Sequence, residues 1–233
     1  TNIDATNNAS LQILDASANN IVSASIHPDA PEVRLQNNSI SQIDLSNNTG
    51  LRNLSLEGNS LTSLDVSSNV LLTELRCNNN QLTTLNVENN SALLELWVQD
   101  NQLTYLNIKT LENQLNSFNA QNNSLTCIET LDPDWASATW TENIDDGVTF
   151  EVICNSEART NWHVSTAGSD ISGSGTLISP LSSIQTAINA STDGDTVSVA
   201  AGTYVENIKF NGKKILVVGA DSSNTIIDGS QNG

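Results

Sequence analysis

An asparagine recurs along the first half of this chain with almost no slack. Asn38, Asn59, Asn80 and Asn101 stand 21 residues apart, and Asn123 follows after 22. A period of this length marks a solenoid, in which each repeat is one coil and the coils stack. Apolar pairs keep step with it, as Val33/Leu35, Leu54/Leu56, Leu75/Cys77, Leu96/Val98 and Phe118/Ala120. A second set follows in each unit, as Ile43/Leu45, Leu64/Val66, Leu85/Val87 and Leu106/Ile108. A degenerate first copy runs through Leu14, Ala16, Asn19, Ile21, Ala24 and Ile26. Its 19-residue step to Val33 contains Pro28 and Pro31, and six copies are in view.

The spacing dictates the physics. Two apolar residues separated by one put their side chains on the same face of a short strand. Stacked copies then form a parallel sheet, and the second pair closes each coil from the other side. No coil covers its own apolar strip, so the array is stable only as a stack. A chain that is 37% hydrophobic and 4% aromatic is lean for one compact globule, but sufficient for coils of this kind. The repeated asparagine falls where the chain leaves the strand. A buried amide there both donates to and accepts from the turn backbone of adjacent coils. Asn38, Asn59, Asn80, Asn101 and Asn123 are therefore expected to form a structural ladder. Asn48, Asn69 and Asn90 are expected to do the same on the opposite turn.

The pattern, as in LRNLSLEGNSLTSLDVSSNVL from Leu51, resembles secreted bacterial leucine-rich-repeat proteins over residues 1–128. That resemblance implies an adhesion or recognition module, extracellular or at the cell surface, sometimes joined to carbohydrate-active or protease domains. The segment CIETLDPDWASATWTENIDDGVTFEVIC resembles the C-terminal caps of the same repeats, which makes residues 129–158 a cap with Trp135 or Trp140 available to seal the last coil. Cys127 and Cys154 bracket it, and a disulfide-closed flap would cover the final apolar coil. The chain-entropy account puts such a closure at about 3.5 kcal/mol. A zinc site is the less favoured use, since no His lies inside the segment. Cys77 replaces a core aliphatic and is expected as a buried free thiol.

From about Arg159 the grammar changes. Ser179-Pro180 suits a helix start, with Pro at the first helical position. Leu181, Ile184 and Ile188 then form one apolar helical face. After the turn at Asp193-Gly194-Asp195, the runs Val197/Val199, Ile208/Phe210, Ile215/Val217 and Ile226 predict short strands. GDTVSVAAGTYVENI, preceded by VSTAGSD, resembles the opening of pectin-lyase-like right-handed parallel β-helices over about residues 162–233. The expected fold is thus mostly β, a leucine-rich-repeat solenoid joined to the N-terminal coils of a right-handed parallel β-helix with a short capping helix. The resemblance places any polysaccharide-cleaving groove on later coils, so no catalytic residue is expected in residues 1–233. A lyase or hydrolase with its catalytic coils beyond Gly233 is the alternative to a purely binding role. A stalk that displays other domains is a third reading. Asp170, Asp193 and Asp195 have the chemistry of an acid, a base or calcium ligands. Their Gly and Ser neighbours favour turns, and calcium wants six or more oxygens. His27 and His163 have no nucleophile or second His at motif spacing. No metal or cofactor is expected. Ile3, Ala5 and Asn8 fill the second half of a repeat and no cap closes the C-terminus, so the chain reads as an internal piece of a longer protein. The link Ser156–Asn161 is short and polar, which suits either a hinge or a rigid junction.

Residues between the buried pairs must point out of the sheet. The central column reads Arg34, Ser55, Arg76, Trp97, Asn119. One flank is Glu32, Asn53, Glu74, Glu95, Ser117, and the other is Gln36, Glu57, Asn78, Gln99, Gln121. With strands about 4.8 Å apart, each column spans on the order of 20 Å. Arg34, Ser55, Arg76, Trp97, Asn119, Glu74, Glu95 and Gln99 are the expected ligand-binding residues, for a glycan or a surface protein. Two uses fit an outward Trp97: stacking on a sugar or anchoring a partner, or packing over Arg76 as a cation–π pair. Arg34 and Arg76 also have Glu32, Glu74 and Glu95 as potential ion partners. The formal charge of −18 makes nucleic acid and anionic lipid poor partners. No stretch approaches the ~20 apolar residues of a membrane span. A monomer is expected.

Overall fold

The computed structural model describes residues 1–111, 114–154 and 159–229. The chain is mostly β, a parallel β-solenoid with few helices. It divides into two compact units, Thr1–Ile128 with Trp135–Phe150, and Glu129–Asp134 with Glu151–Gly233.

In the first unit, each coil contributes a three-residue strand to a six-stranded parallel sheet. The strands stack in chain order as Ile13–Asp15, Glu32–Arg34, Asn53–Ser55, Glu74–Arg76, Glu95–Trp97 and Ser117–Asn119. Asn2–Asp4 and Ser23–Ser25 make a separate parallel pair. The middle residue of each main strand is buried, as are Leu35, Leu56, Cys77, Val98 and Ala120 just beyond the strand ends. Most of the second set closes the core from the far side, while Ile43 is only partly covered.

Beyond the strands the chain must bend at once, and it does so through one left-handed residue per coil. Ala18, Asn37, Gly58, Asn79, Asp100 and Asn122 all have φ between 53° and 67°. Asn, Asp and Gly bear that conformation best, which explains their recurrence there. The ladder asparagine follows. Asn80 Nδ2 donates to the Leu56 carbonyl of the preceding coil at 2.9 Å and to Cys77 O of its own at 3.1 Å. Its Oδ1 accepts from the Leu61 amide at 2.9 Å. Asn38, Asn59, Asn101 and Asn123 repeat the arrangement. On the other turn Asn69 and Asn90 are fully buried and donate across coils, though their Oδ1 atoms have no partner. Asn48 there donates to His27 O.

The last coil is sealed by aromatic packing and by backbone pairing. Trp140, at the end of helix α1 (Pro133–Trp140), lies 5.2 Å from Phe118, 4.8 Å from Trp135 and 6.2 Å from Phe150, centroid to centroid. Ala120 N donates to Asn143 O, and the Asp145 carboxylate accepts from the amides of Asn122 and Asn123. The free edge of the sheet is thereby occupied. Cys127 and Cys154 are disulfide-bonded. Cys77 is a buried free thiol whose pKa burial pushes up to about 12, with Glu57 adding to the effect.

The second unit has Asn161–Val164, Thr196–Val199 and Leu216–Gly219 side by side in a parallel sheet, and Gly202–Tyr204 parallel to Thr225–Ile227. Helix α2 (Ile184–Ala190) begins later than Pro180, which corrects the sequence expectation. The Asp170 carboxylate takes the amides of Ser182 and Ser183, and Leu181 bridges to Val164, so this stretch stays extended. The Ser183 hydroxyl then caps the helix at the Thr186 amide, while both oxygens of Glu206 accept from Ile184 N and Gln185 N. Leu181, Ile184 and Ile188 are nonetheless buried together. Ile208 and Phe210 are in no strand, a second correction. The Gln185 side chain takes both backbone groups of Lys209, and a left-handed pair at Asn211-Gly212 turns the chain immediately afterwards. Of the proposed link Ser156–Asn161, residues 156–158 lie outside the described ones, as do residues 230–233 at the C-terminus.

Three stability effects follow. Asn80→Ala orphans groups in two coils and should cost about 1–3 kcal/mol in denaturant unfolding, whereas the exposed Asn89→Ala should change little. Trp140→Ala should cost about 3–5 kcal/mol by the same measurement. The Asp44 and Asp65 carboxyls accept from the amide and hydroxyl of Ser46 and Ser67, which holds them below the ordinary 3.8. A lowered folded pKa gives stability that is complete above the unfolded value and lost as pH falls through the folded one. Melting temperature should therefore fall below about pH 4, and an Asp44→Asn/Asp65→Asn double variant should show a shallower acid limb. The next coils already use Asn86 and Asn107 in the same turn.

Candidate functional site

The parallel register brings the outward residues into columns. Asp15, Arg34, Ser55, Arg76, Trp97 and Asn119 are successive partners across six strands. Glu32, Asn53, Glu74, Glu95 and Ser117 form the adjoining column. Gln36, Glu57, Asn78, Gln99 and Gln121 follow one per coil on the other flank, where the main-chain bonds Asn37 N to Glu57 O and Gly58 N to Asn78 O continue the stacking. All eight expected ligand-binding residues, Ser55 and Gln99 included, lie on this face and are half-buried by their neighbours.

Two arginines organise its charges. Arg34 pairs with Glu32 and with Asp15, the latter at 3.6 Å. Arg76 Nε lies 2.7 Å from Glu74 Oε1, an ion contact without hydrogen-bond alignment, while Nη2 donates to Glu95 Oε2 at 3.1 Å. The Arg76 guanidinium also sits 5.5 Å from the centre of the Trp97 ring. Both roles weighed for the arginines in the sequence are thus filled from within the face. Burial raises the Glu74 carboxyl above its usual range; Arg76 opposes that, and Glu95, Glu32 and Glu57 reinforce it. Asp15 was not among the sequence candidates. Its signal was present, since it occupies the arginine position of the degenerate first copy.

Several polar atoms on this face are shut off from water without a hydrogen-bond partner. They include the acceptors Gln36 Oε1, Glu57 Oε2 and Gln99 Oε1, and the donor Trp97 Nε1. Asn119 differs, because its Oδ1 accepts from the Gln121 amide. In the free protein such atoms carry a desolvation cost, which a partner relieves only where their side chains turn outward to meet it.

The acidic residues of the second unit serve its backbone. Asp170 holds the approach to α2, and Asp193 accepts from Lys214 N. Asp195 is buried and accepts from Trp162 Nε1 and from Thr192 N. Among the described residues, no three His, Cys, Asp or Glu side chains gather closely enough to hold a metal ion, and no helix is long and apolar enough to cross a membrane.

No family model and no curated protein matches this chain. Among solved structures, the functional domain of InlJ from Listeria monocytogenes, described as including a cysteine ladder, is similar at 18% identity with a TM-score of 0.41. That match covers 95% of this chain and 45% of the other. A leucine-rich-repeat protein of Leptospira interrogans is similar at 18% identity with a TM-score of 0.49, covering 94% of this chain and 50% of the other. The chain spans about half the length of these two structures.

Proposed function

We propose that this chain is a recognition module, secreted or displayed at a cell surface, which binds a protein or glycan through the strand face of its repeats. The observation that carries the reading is Trp97, a large aromatic held on the outer side of the sheet with its indole N–H unsatisfied. Aromatics in such settings anchor partners because they offer large contact area with little entropy to lose. The half-exposed polar columns around it supply directional groups. The Cys127–Cys154 disulfide supports an oxidising compartment. In this reading residues 1–128 are the repeats, 129–158 their cap, and 159–233 the opening of a pectin-lyase-like β-helix. The parallel pairings Thr196 to Leu216 and Gly202 to Thr225 support that last assignment.

The test is a panel of immobilised glycans and surface proteins probed with the whole chain and with Trp97→Ala. Loss of an anchoring aromatic should weaken any strand-face partner at least about tenfold, or 1.4 kcal/mol. Tyr105→Ala, on the second turn, should leave the same partner unaffected. A Trp97→Ala protein that is folded and retains every interaction at full strength overturns the proposal.

A further inference from the structure

We infer that the partner of the strand face is a basic protein segment, whose Lys or Arg side chains enter beside Glu57. The inference rests on the strand face being the binding surface, and it adds the chemical class of what binds there.

Charge complementarity is the first argument. The three columns carry five carboxylates (Asp15, Glu32, Glu57, Glu74 and Glu95) against two guanidiniums, Arg34 and Arg76. Both guanidiniums are engaged, Arg34 by Asp15 and Glu32, Arg76 by Glu74, Glu95 and the Trp97 ring. An anionic ligand could recruit either arginine only by uncovering two carboxylates. Glu57 makes no ion pair among the described residues, and it stands between the two arginine-centred clusters. Its negative charge, with those of Glu95 and Glu32, bears on Glu74.

The second argument is independent of net charge. Three side-chain acceptors of one column, Gln36 Oε1, Glu57 Oε2 and Gln99 Oε1, are shielded from water and unpaired. Gln36 and Glu57 belong to adjacent coils. They lack donors. Lysine brings three N–H donors and arginine five, and neither brings an acceptor that would itself need satisfying. A sugar hydroxyl brings both kinds, and among the water-shielded, unpaired atoms of this face the donors are Trp97 Nε1 and the ion-paired Arg76 Nε. Arg76 also shows that the surface accommodates a guanidinium, between carboxylates and against an indole.

The experiment measures binding of three probes to the whole chain at physiological salt: an (Arg-Ser)5 peptide, a (Glu-Ser)5 peptide and a neutral cello-oligosaccharide. Four variants are compared with the parent. Glu57→Gln removes a carboxylate that has no cation, and Glu57→Lys fills the acceptors from within. Glu88→Gln removes an equal charge from an exposed site on the second turn, and Trp97→Ala reports the face itself. The basic peptide should bind and the acidic one should not. Glu57→Gln should weaken it by about threefold or more, Glu57→Lys by more than about tenfold, and Glu88→Gln by less than about twofold. Equal losses for Glu57→Gln and Glu88→Gln would mean attraction to overall charge alone, which overturns the inference. Oligosaccharide binding that is sensitive to Trp97→Ala, with no basic-peptide binding, overturns the partner class and leaves the strand face as the site. Peptide binding indifferent to both Glu57→Lys and Trp97→Ala overturns the inference and counts against the face. Trp97-dependent self-association in sedimentation, without peptide binding, replaces the basic segment with a second copy.

Discussion

The first unit depends on one amide per coil. Each ladder asparagine donates to the carbonyl where its own coil leaves the strand and to the matching carbonyl one coil earlier, while its oxygen accepts from that earlier coil's turn. Two coils are thereby fixed relative to each other by a single rigid side chain. A slip of one residue would turn the apolar pairs outward and would also break both cross-coil amide bonds, leaving their part-buried donors and acceptors unpaired. A constant register is what turns isolated outward residues into straight columns. The candidate face exists because the ladder does.

The second unit keeps its register by different means. Carboxylates and hydroxyls bind backbone amides directly, as Asp170 does before α2 and Glu206 does at its first turn. Asp195 ties the indole of Trp162 to the Thr192 turn within the interior. Each of these carboxylates has a local structural task in the turn it joins. Their hydrogen-bond demand also explains why α2 starts after Ser183. Pro180 is compatible with a helix start, but Asp170 and Val164 hold the next residues in an extended form.

On the strand face, internal pairing and availability coexist. Arg76 is surrounded by Glu74, Glu95 and Trp97, so the most conspicuous cation on the surface is also the most fully engaged. The shielded acceptors with unmet demand lie one column away, on residues that attract no notice in a sequence: two glutamines and a glutamate.

The period of 21 determined the coil, the stacking direction and the identity of the buried positions, because a solenoid repeats the same environment at every step and so prints it on the sequence. The outward columns were legible for the same reason. The left-handed residue of each turn was written there too, in the Asn, Gly and Asp that precede each ladder position, but Ala18 blurs the series. What the repeat could not specify is whatever happens once. The aromatic cap around Trp140, the Asp145 carboxylate on the last sheet edge and the late start of α2 each join residues tens of positions apart, with no second copy to reveal the pattern. Whether Glu57 finds a cation was likewise decided by the tertiary structure. Ion pairing depends on the reach of side chains from neighbouring coils, and Arg34 and Arg76 both turn toward other carboxylates.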